Sequence, residues 1–130
     1  MIRVGLYLNY GNKSFQDTKA SEIFVDKSLL IEYTNTIIFT KNKNICMTRP
    51  RRAGKSTDAR MLVAYYDHSC DSSALFHDLN ISLVPSYKKY LNACNVVLLN
   101  IQEFFSNSSS IDEMIQIITE ELCINCYLEL

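Results

Sequence analysis

The chain alternates short, continuous apolar runs with stretches in which apolar residues recur every three or four positions. The runs at 44–48 and 95–101 have the continuous character of parallel strands that are covered on both faces. The stretches that follow them have the spacing of amphipathic helices. Strand, helix, strand and helix in this order imply parallel pairing through right-handed crossovers. We therefore expect an α/β fold, with a layered and incomplete parallel sheet flanked by helices.

The helical spacing also predicts where individual helices lie. One helix is expected over 27–34 after a cap at Asp26, another over 55–66, and a shorter one over 86–91. The residues expected to face the core are Leu29, Leu30 and Tyr33 in the first helix and Met61, Leu62, Tyr65 and Tyr66 in the second.

The last predicted helix begins after Ser110, because Ser110 and Glu113 have the spacing of a capping box. Two further segments are short. Residues 4–8 are expected to form a strand, and residues 37–39 either finish the preceding helix or form an adjoining strand. The inward residues of the last helix are expected to be Met114, Ile115, Ile118, Leu122 and Cys126.

The composition, with 130 residues of which 48% are apolar and 21% charged, indicates one soluble globular domain over residues 1–130. No apolar run approaches the roughly 20 residues of a membrane-spanning helix, and the first residues lack a signal peptide's apolar stretch. Five scattered cysteines suit a reducing compartment. The pair Cys123 and Cys126 has no second pair to complete a zinc site, which favours helix residues partly facing the core. We expect a cytoplasmic protein with no membrane partner.

Positive charge is concentrated in one segment. Residues 41–60 contain seven Lys and Arg residues against one acid, Asp58, although the whole chain has a net charge of −1. Residues 101–130 contain acids and no Lys or Arg. This distribution favours an anionic ligand at the basic segment over general affinity of the whole chain for nucleic acid. A solvated basic loop would produce the same pattern.

The basic segment contains the sequence Gly54-Lys55-Ser56-Thr57, placed where the predicted strand turns into the predicted helix. In a phosphate-binding loop (Walker A), backbone N–H groups and the positive end of the helix surround the anion. A Lys then reaches the outer phosphates and a Ser or Thr hydroxyl holds Mg²⁺. We expect ATP binding with Mg²⁺ on Ser56. The predicted nucleotide-binding residues are Arg51, Arg52, Ala53, Gly54, Lys55, Ser56 and Thr57.

The arginines of this segment allow more than one interpretation. Arg49, Arg51 and Arg52 could contact nucleotide phosphates, act on a neighbouring subunit's nucleotide, or contact a nucleic-acid backbone, because a guanidinium group suits all three. The competing hypothesis is therefore a module that binds nucleic acid or a partner protein through these arginines and has a vestigial nucleotide site.

ATP hydrolysis requires a further group. P-loop ATPases hold Mg²⁺ with an Asp at the end of a second apolar strand. The run at 95–101 offers Asn100, which is neutral, and Glu103 follows three residues later. The sequence thus predicts nucleotide binding without a clear catalytic residue, and whether the chain is an enzyme stays open.

Several segments resemble the AAA-ATPase-like family, which consists of P-loop NTPases often fused to a C-terminal nuclease-like domain. The segment 24–28, Phe-Val-Asp-Lys-Ser, is similar to the family's aromatic-Val-Asp-Lys-Thr/Ser. The segment 48–56, Thr-Arg-Pro-Arg-Arg-Ala-Gly-Lys-Ser, is similar to its Thr/Ser-Arg-Pro-Arg-Arg-Phe-Gly-Lys-Ser/Thr, with Ala53 in place of Phe. The resemblance implies a P-loop NTPase-like sheet and ATP binding.

Family members continue beyond this length, and their magnesium-binding acidic strand lies in the continuation. The chain therefore looks like the truncated N-terminal portion of such a protein. A fragment of a longer protein and a decayed reading frame are both compatible with this expectation.

Overall fold

The computed structural model describes residues 7–50 and 54–129. Those residues form seven α-helices and one 3-10 helix, and they contain no strand. No helix in the described ranges is long and apolar enough to cross a bilayer. The α-helices are α1 (Lys13–Lys19), α2 (Leu29–Ile37), α3 (Lys55–Tyr66), α4 (Ser73–Phe76), α5 (Tyr87–Tyr90), α6 (Ile101–Ser106) and α7 (Ile111–Glu129), and the 3-10 helix is Asn80–Leu83.

The predicted α/β fold with a parallel sheet is wrong, because the described residues are helical and pair only at isolated bridges. Residues 44–48, predicted to be a buried strand, belong to no helix or strand, and all but Met47 are exposed. The run at 95–101 forms a single antiparallel bridge, between Val97 and Leu8. A strand persists only where a neighbour satisfies its backbone groups. Most of residues 4–8, also predicted as a strand, lie outside the described residues.

The chain folds as two compact units, and the larger one spans Gly11–Asn95. Its core is a cluster of aromatic side chains in which Phe15 stacks on Phe76, with ring centroids 5.1 Å apart. Tyr65 meets the Phe76 ring edge-on at 5.7 Å, and its hydroxyl donates to the carbonyl oxygen of Tyr87 at 2.7 Å. Helix α3 has the predicted bounds, and it buries the predicted residues Met61, Tyr65 and Tyr66. This cluster joins α1, α3 and α4.

Helix α2 presents a different face to the core from the predicted one. Leu29 and Tyr33 are exposed, whereas Ile31, Thr34 and Asn35 are buried. The Thr34 hydroxyl lies 2.6 Å from the hydroxyl of Tyr66, which also donates to the Asn35 side-chain oxygen. Because the tyrosines of α3 carry hydroxyl groups into the core, the facing positions of α2 are polar, and an apolar pattern alone selects the wrong side.

The second unit consists of the described residues up to Tyr10 and those from Val96 onward. The predicted cap of α7 is present, since the Ser110 hydroxyl accepts from the Glu113 N–H at 3.1 Å. The predicted inward residue Ile115 is 53% exposed. Among the side chains of α7 that the structure describes, the buried one is Asn125, whose oxygen accepts from the Leu8 N–H at 2.9 Å and the Tyr7 N–H at 3.2 Å. An amide thus anchors the opening segment to this helix.

Asp26, predicted to cap a helix that begins at Lys27, lies two residues before Ser28, the residue that precedes α2, and its carboxylate bonds two backbone N–H groups. One carboxylate oxygen accepts from the Ser28 N–H and the other from the Asn80 N–H, each at 2.8 Å. Partial burial raises the pKa of Asp26, but the hydrogen bonds from Ser28 and Asn80 outweigh it and leave the pKa lowered. The ionised carboxylate therefore stabilises the folded chain.

Asp26→Ala is expected to reduce the free energy of unfolding at pH 7 by about 1 kcal/mol, the usual net value of an intramolecular hydrogen bond. A carboxyl group with a lowered folded pKa stabilises above its unfolded pKa of about 3.9, and this contribution disappears as the pH falls through the folded pKa. Urea denaturation should therefore show the variant's deficit at pH 7 and a smaller deficit at pH 3. Asp17→Ala, at a 64% exposed carboxylate, should change little. An equal deficit of Asp26→Ala at both pH values would contradict the assignment.

Candidate functional site

The start of α3 has the backbone geometry of an anion site. Gly54 is the residue before the helix and has φ of +87°, in the left-handed region that favours glycine. Its carbonyl oxygen accepts the first helical bond, from the Asp58 N–H at 2.9 Å. The N–H groups of the first turn have no helical partner, and the helix dipole adds positive potential there. This end of α3 therefore favours a negatively charged group.

The Lys55 side chain folds back over the preceding loop. Its ammonium group donates to the carbonyl oxygen of Arg49, six residues earlier, at 3.0 Å. Arg49 and Lys55 are both exposed, so the ammonium group remains accessible to a ligand from solvent. The predicted site residues Arg51, Arg52 and Ala53 lie outside the described residues.

Ser56 and Thr57 occupy the first turn of α3, where the sequence predicts them. Ser56 is exposed, and Thr57 is partly buried and lines a cavity. Mg²⁺ commonly takes one or two protein oxygens and completes its shell with water and substrate phosphates. Among the residues that the structure describes, no group of three or more His, Cys, Asp or Glu side chains could hold a metal. The Ser56 hydroxyl is one oxygen of the kind that Mg²⁺ accepts as a ligand.

A cavity of about 280 Å³ lies beside this turn, within the larger unit. Apolar side chains of α1, of residues 23–25 and of α3 form one part of its lining, and polar groups at the loop form the other. The polar lining residues nearest the turn are Lys27, Gly54, Thr57 and Asp58. A cavity lined partly by apolar and partly by charged groups suits a ligand that itself has an apolar group and a charged group.

Lys27 and Asp58 belong to this site, although the sequence analysis assigned neither of them to it. The Lys27 ammonium lies 3.8 Å from the Asp58 carboxylate, whose side chain is only 3% exposed. A Cβ added to Gly54 would come within 2.8 Å of the same ammonium group. Lys27 is far from the loop in sequence, so spacing alone could not place it there. The sequence did offer one indication that Asp58 belongs to the site, because it is the single acid in the basic segment 41–60.

Asn100, considered above at the position of a catalytic carboxylate, has a structural role. Its side-chain oxygen accepts from the Gln102 N–H at 3.2 Å and caps the start of α6. Glu103 lies in the first turn of that helix, where a negative charge is favourable. Both side chains therefore stabilise the start of α6.

A family model described as Predicted AAA-ATPase matches residues 9–128 of the chain. The match includes all of the larger unit, with the loop before α3, and most of the smaller one. No curated protein and no solved structure matches the chain.

Proposed function

The chain belongs to the AAA-ATPase-like family, and from that premise we propose that it binds ATP together with Mg²⁺ at the start of α3. The observation that carries this proposal is the position of the Lys55 ammonium, folded over the loop that precedes the positive end of the helix. The Arg49 carbonyl oxygen accepts a hydrogen bond from that ammonium. A phosphate oxygen is a stronger acceptor, because it is charged, and would take its place.

In the proposed site the two ends of the nucleotide lie against different surfaces, the phosphates at the start of α3 and the adenine ring in the cavity. The phosphates lie at the N–H groups of the first turn of α3, with Lys55 on the outer phosphates and Ser56 and Thr57 toward Mg²⁺. Arg51 and Arg52 add positive charge from the loop. The adenine ring lies in the neighbouring cavity, against apolar residues such as Phe24 and Met61.

We propose binding rather than turnover. ATPases of this kind hold Mg²⁺ with a carboxylate at the end of a second strand. The residue that the sequence offered for that role, Asn100, has an amide that caps α6 instead. Asn100 is therefore not assigned to holding Mg²⁺, and we do not propose hydrolysis.

A thermal-shift titration with Mg-ATP tests the proposal. A ligand that binds only the folded chain stabilises it by about 2.7 kcal/mol at a hundredfold excess over Kd, so the melting temperature should rise with Mg-ATP concentration. The rise should be smaller with EDTA, and inorganic sulfate at equal ionic strength should not reproduce it. No rise at millimolar Mg-ATP would contradict the proposal.

The same material tests the alternative partners. Salt-sensitive binding to DNA or RNA in the absence of an Mg-ATP effect would favour an interaction module that uses Arg49, Arg51 and Arg52. The variant Arg51→Ala with Arg52→Ala should then lose that binding, while Lys55→Ala should keep it.

A further inference from the structure

A second ammonium group, besides that of Lys55, lies close to Gly54 at the start of α3. Lys27 is remote from the loop in sequence, yet its ammonium lies against Gly54, in the space where any larger residue would have a Cβ. The absence of a side chain at Gly54 therefore makes room for this cation. Lys27 also lines the cavity and is 34% exposed, so a ligand in the cavity can reach it.

Asp58 creates an electrostatic problem at this site. Its carboxylate is nearly fully buried and lies in the first turn of α3, the end of the helix that would hold the phosphates. A buried negative charge within several ångströms of an anion is unfavourable, because the interior screens it less than water does. The ammonium of Lys27, 3.8 Å away, compensates for that charge.

We propose that Lys27 contacts the phosphates of the bound nucleotide and that Asp58 positions its ammonium for this contact, an inference that rests on the proposed function. Lys27 would then act in two ways. It supplies positive charge directly to the phosphates, and it prevents the Asp58 carboxylate from repelling them.

The central experiment compares the binding of ATP and of adenosine to the wild type and to Lys27→Met. Met keeps the length of the side chain and removes its charge. Because a hydrogen bond between charged groups is worth about 1.5–3 kcal/mol, the Kd for ATP should rise about tenfold or more. The Kd for adenosine, which has no phosphate, should stay unchanged. Lys27→Arg should retain most of the ATP affinity, and Lys13→Met, at a lysine that is 79% exposed, should retain all of it.

A second variant separates the two effects of Lys27. In the Lys27→Met background the Asp58 carboxylate has lost its counter-charge, so adding Asp58→Asn should remove the repulsion and recover part of the lost affinity for ATP. A purely structural role for the pair predicts instead that the Kd for adenosine changes together with the Kd for ATP, because an unpaired buried carboxylate would distort the cavity for both ligands. Circular dichroism and melting temperature establish which variants are folded.

A measurement on the unaltered chain keeps the inference testable if Lys27→Met fails to fold. Mg-ATP should slow the acetylation of Lys27 by an amine-reactive ester, measured by mass spectrometry, and leave the acetylation of Lys13 unchanged. Equal labelling of Lys27 with and without Mg-ATP, or full ATP affinity in Lys27→Met, would overturn the inference while leaving the proposed function intact. A wild type that binds no ATP would overturn both.

Discussion

Lys55→Ala is expected to weaken Mg-ATP binding by roughly a hundredfold and to remove the nucleotide-dependent rise in melting temperature. The substitution removes the ammonium that would contact the outer phosphates, and hydrogen bonds to charged groups are worth about 1.5–3 kcal/mol each. Without nucleotide the melting temperature should change little, because Lys55 is exposed and its observed bond, to the Arg49 carbonyl, lies at the surface. Isothermal titration calorimetry with Mg-ATP measures the loss of affinity.

Lys41→Ala is the matched control for this prediction. Lys41 is an exposed lysine in the same basic segment, and it lies outside the loop between Arg49 and Lys55. If the overall positive charge of residues 41–60 attracted the nucleotide, both variants would lose affinity to a similar extent. If Lys55 contacts the phosphates, only Lys55→Ala should lose it. Equal losses in both variants, or none in Lys55→Ala, would contradict the assigned role of Lys55.

The sequence predicted the bounds of α3 correctly, because the start of a helix depends on neighbouring residues. A glycine before a run of helix-forming residues is sufficient to place the start of α3, and the observed helix has the predicted bounds. The cap at Ser110 was predictable for the same reason, since its hydroxyl bonds an N–H three residues later. Because Lys55 comes directly after Gly54, the same prediction places it at the first position of α3.

The predicted parallel sheet failed because strand pairing depends on residues that are distant in sequence. An apolar run such as 95–101 indicates that a segment can be buried. It does not indicate which other segment forms hydrogen bonds with its backbone N–H and C=O groups. In this chain the Val96 carbonyl oxygen accepts from the Asn9 N–H at 2.7 Å, in antiparallel register with the opening segment. No local spacing rule encodes that partner.

The inner face of α2 and the pair formed by Lys27 and Asp58 were missed for a related reason. Thr34 and Asn35 are buried because they meet the hydroxyl of Tyr66, and Lys27 lies at the loop because Gly54 leaves space for it. Polar groups inside a protein are placed by their partners, and those partners are in other helices. A pattern of apolar positions therefore assigns such residues to the surface.

Phe76→Ala is expected to reduce the free energy of unfolding by about 3–5 kcal/mol, the usual cost of removing a buried aromatic side chain. Phe76 is fully buried between the ring of Phe15 and the edge of Tyr65. The cavity left behind would remove contacts from both rings at once. Such a loss is a large part of the roughly 5–15 kcal/mol that stabilises a typical domain. Urea denaturation followed by circular dichroism measures it.

Phe39→Ala provides the control, since Phe39 is a phenylalanine of the same unit that is 71% exposed and contacts only the ring of Tyr90 among the described aromatic residues. Phe39→Ala should reduce the free energy of unfolding by less than about 1 kcal/mol. The Phe76 substitution should also affect the site, because Phe15 lines the cavity as well as stacking on Phe76. Phe76→Ala should therefore weaken the binding of both ATP and adenosine, whereas Lys27→Met should weaken the binding of ATP alone. This difference separates a loosened cavity from a missing phosphate contact.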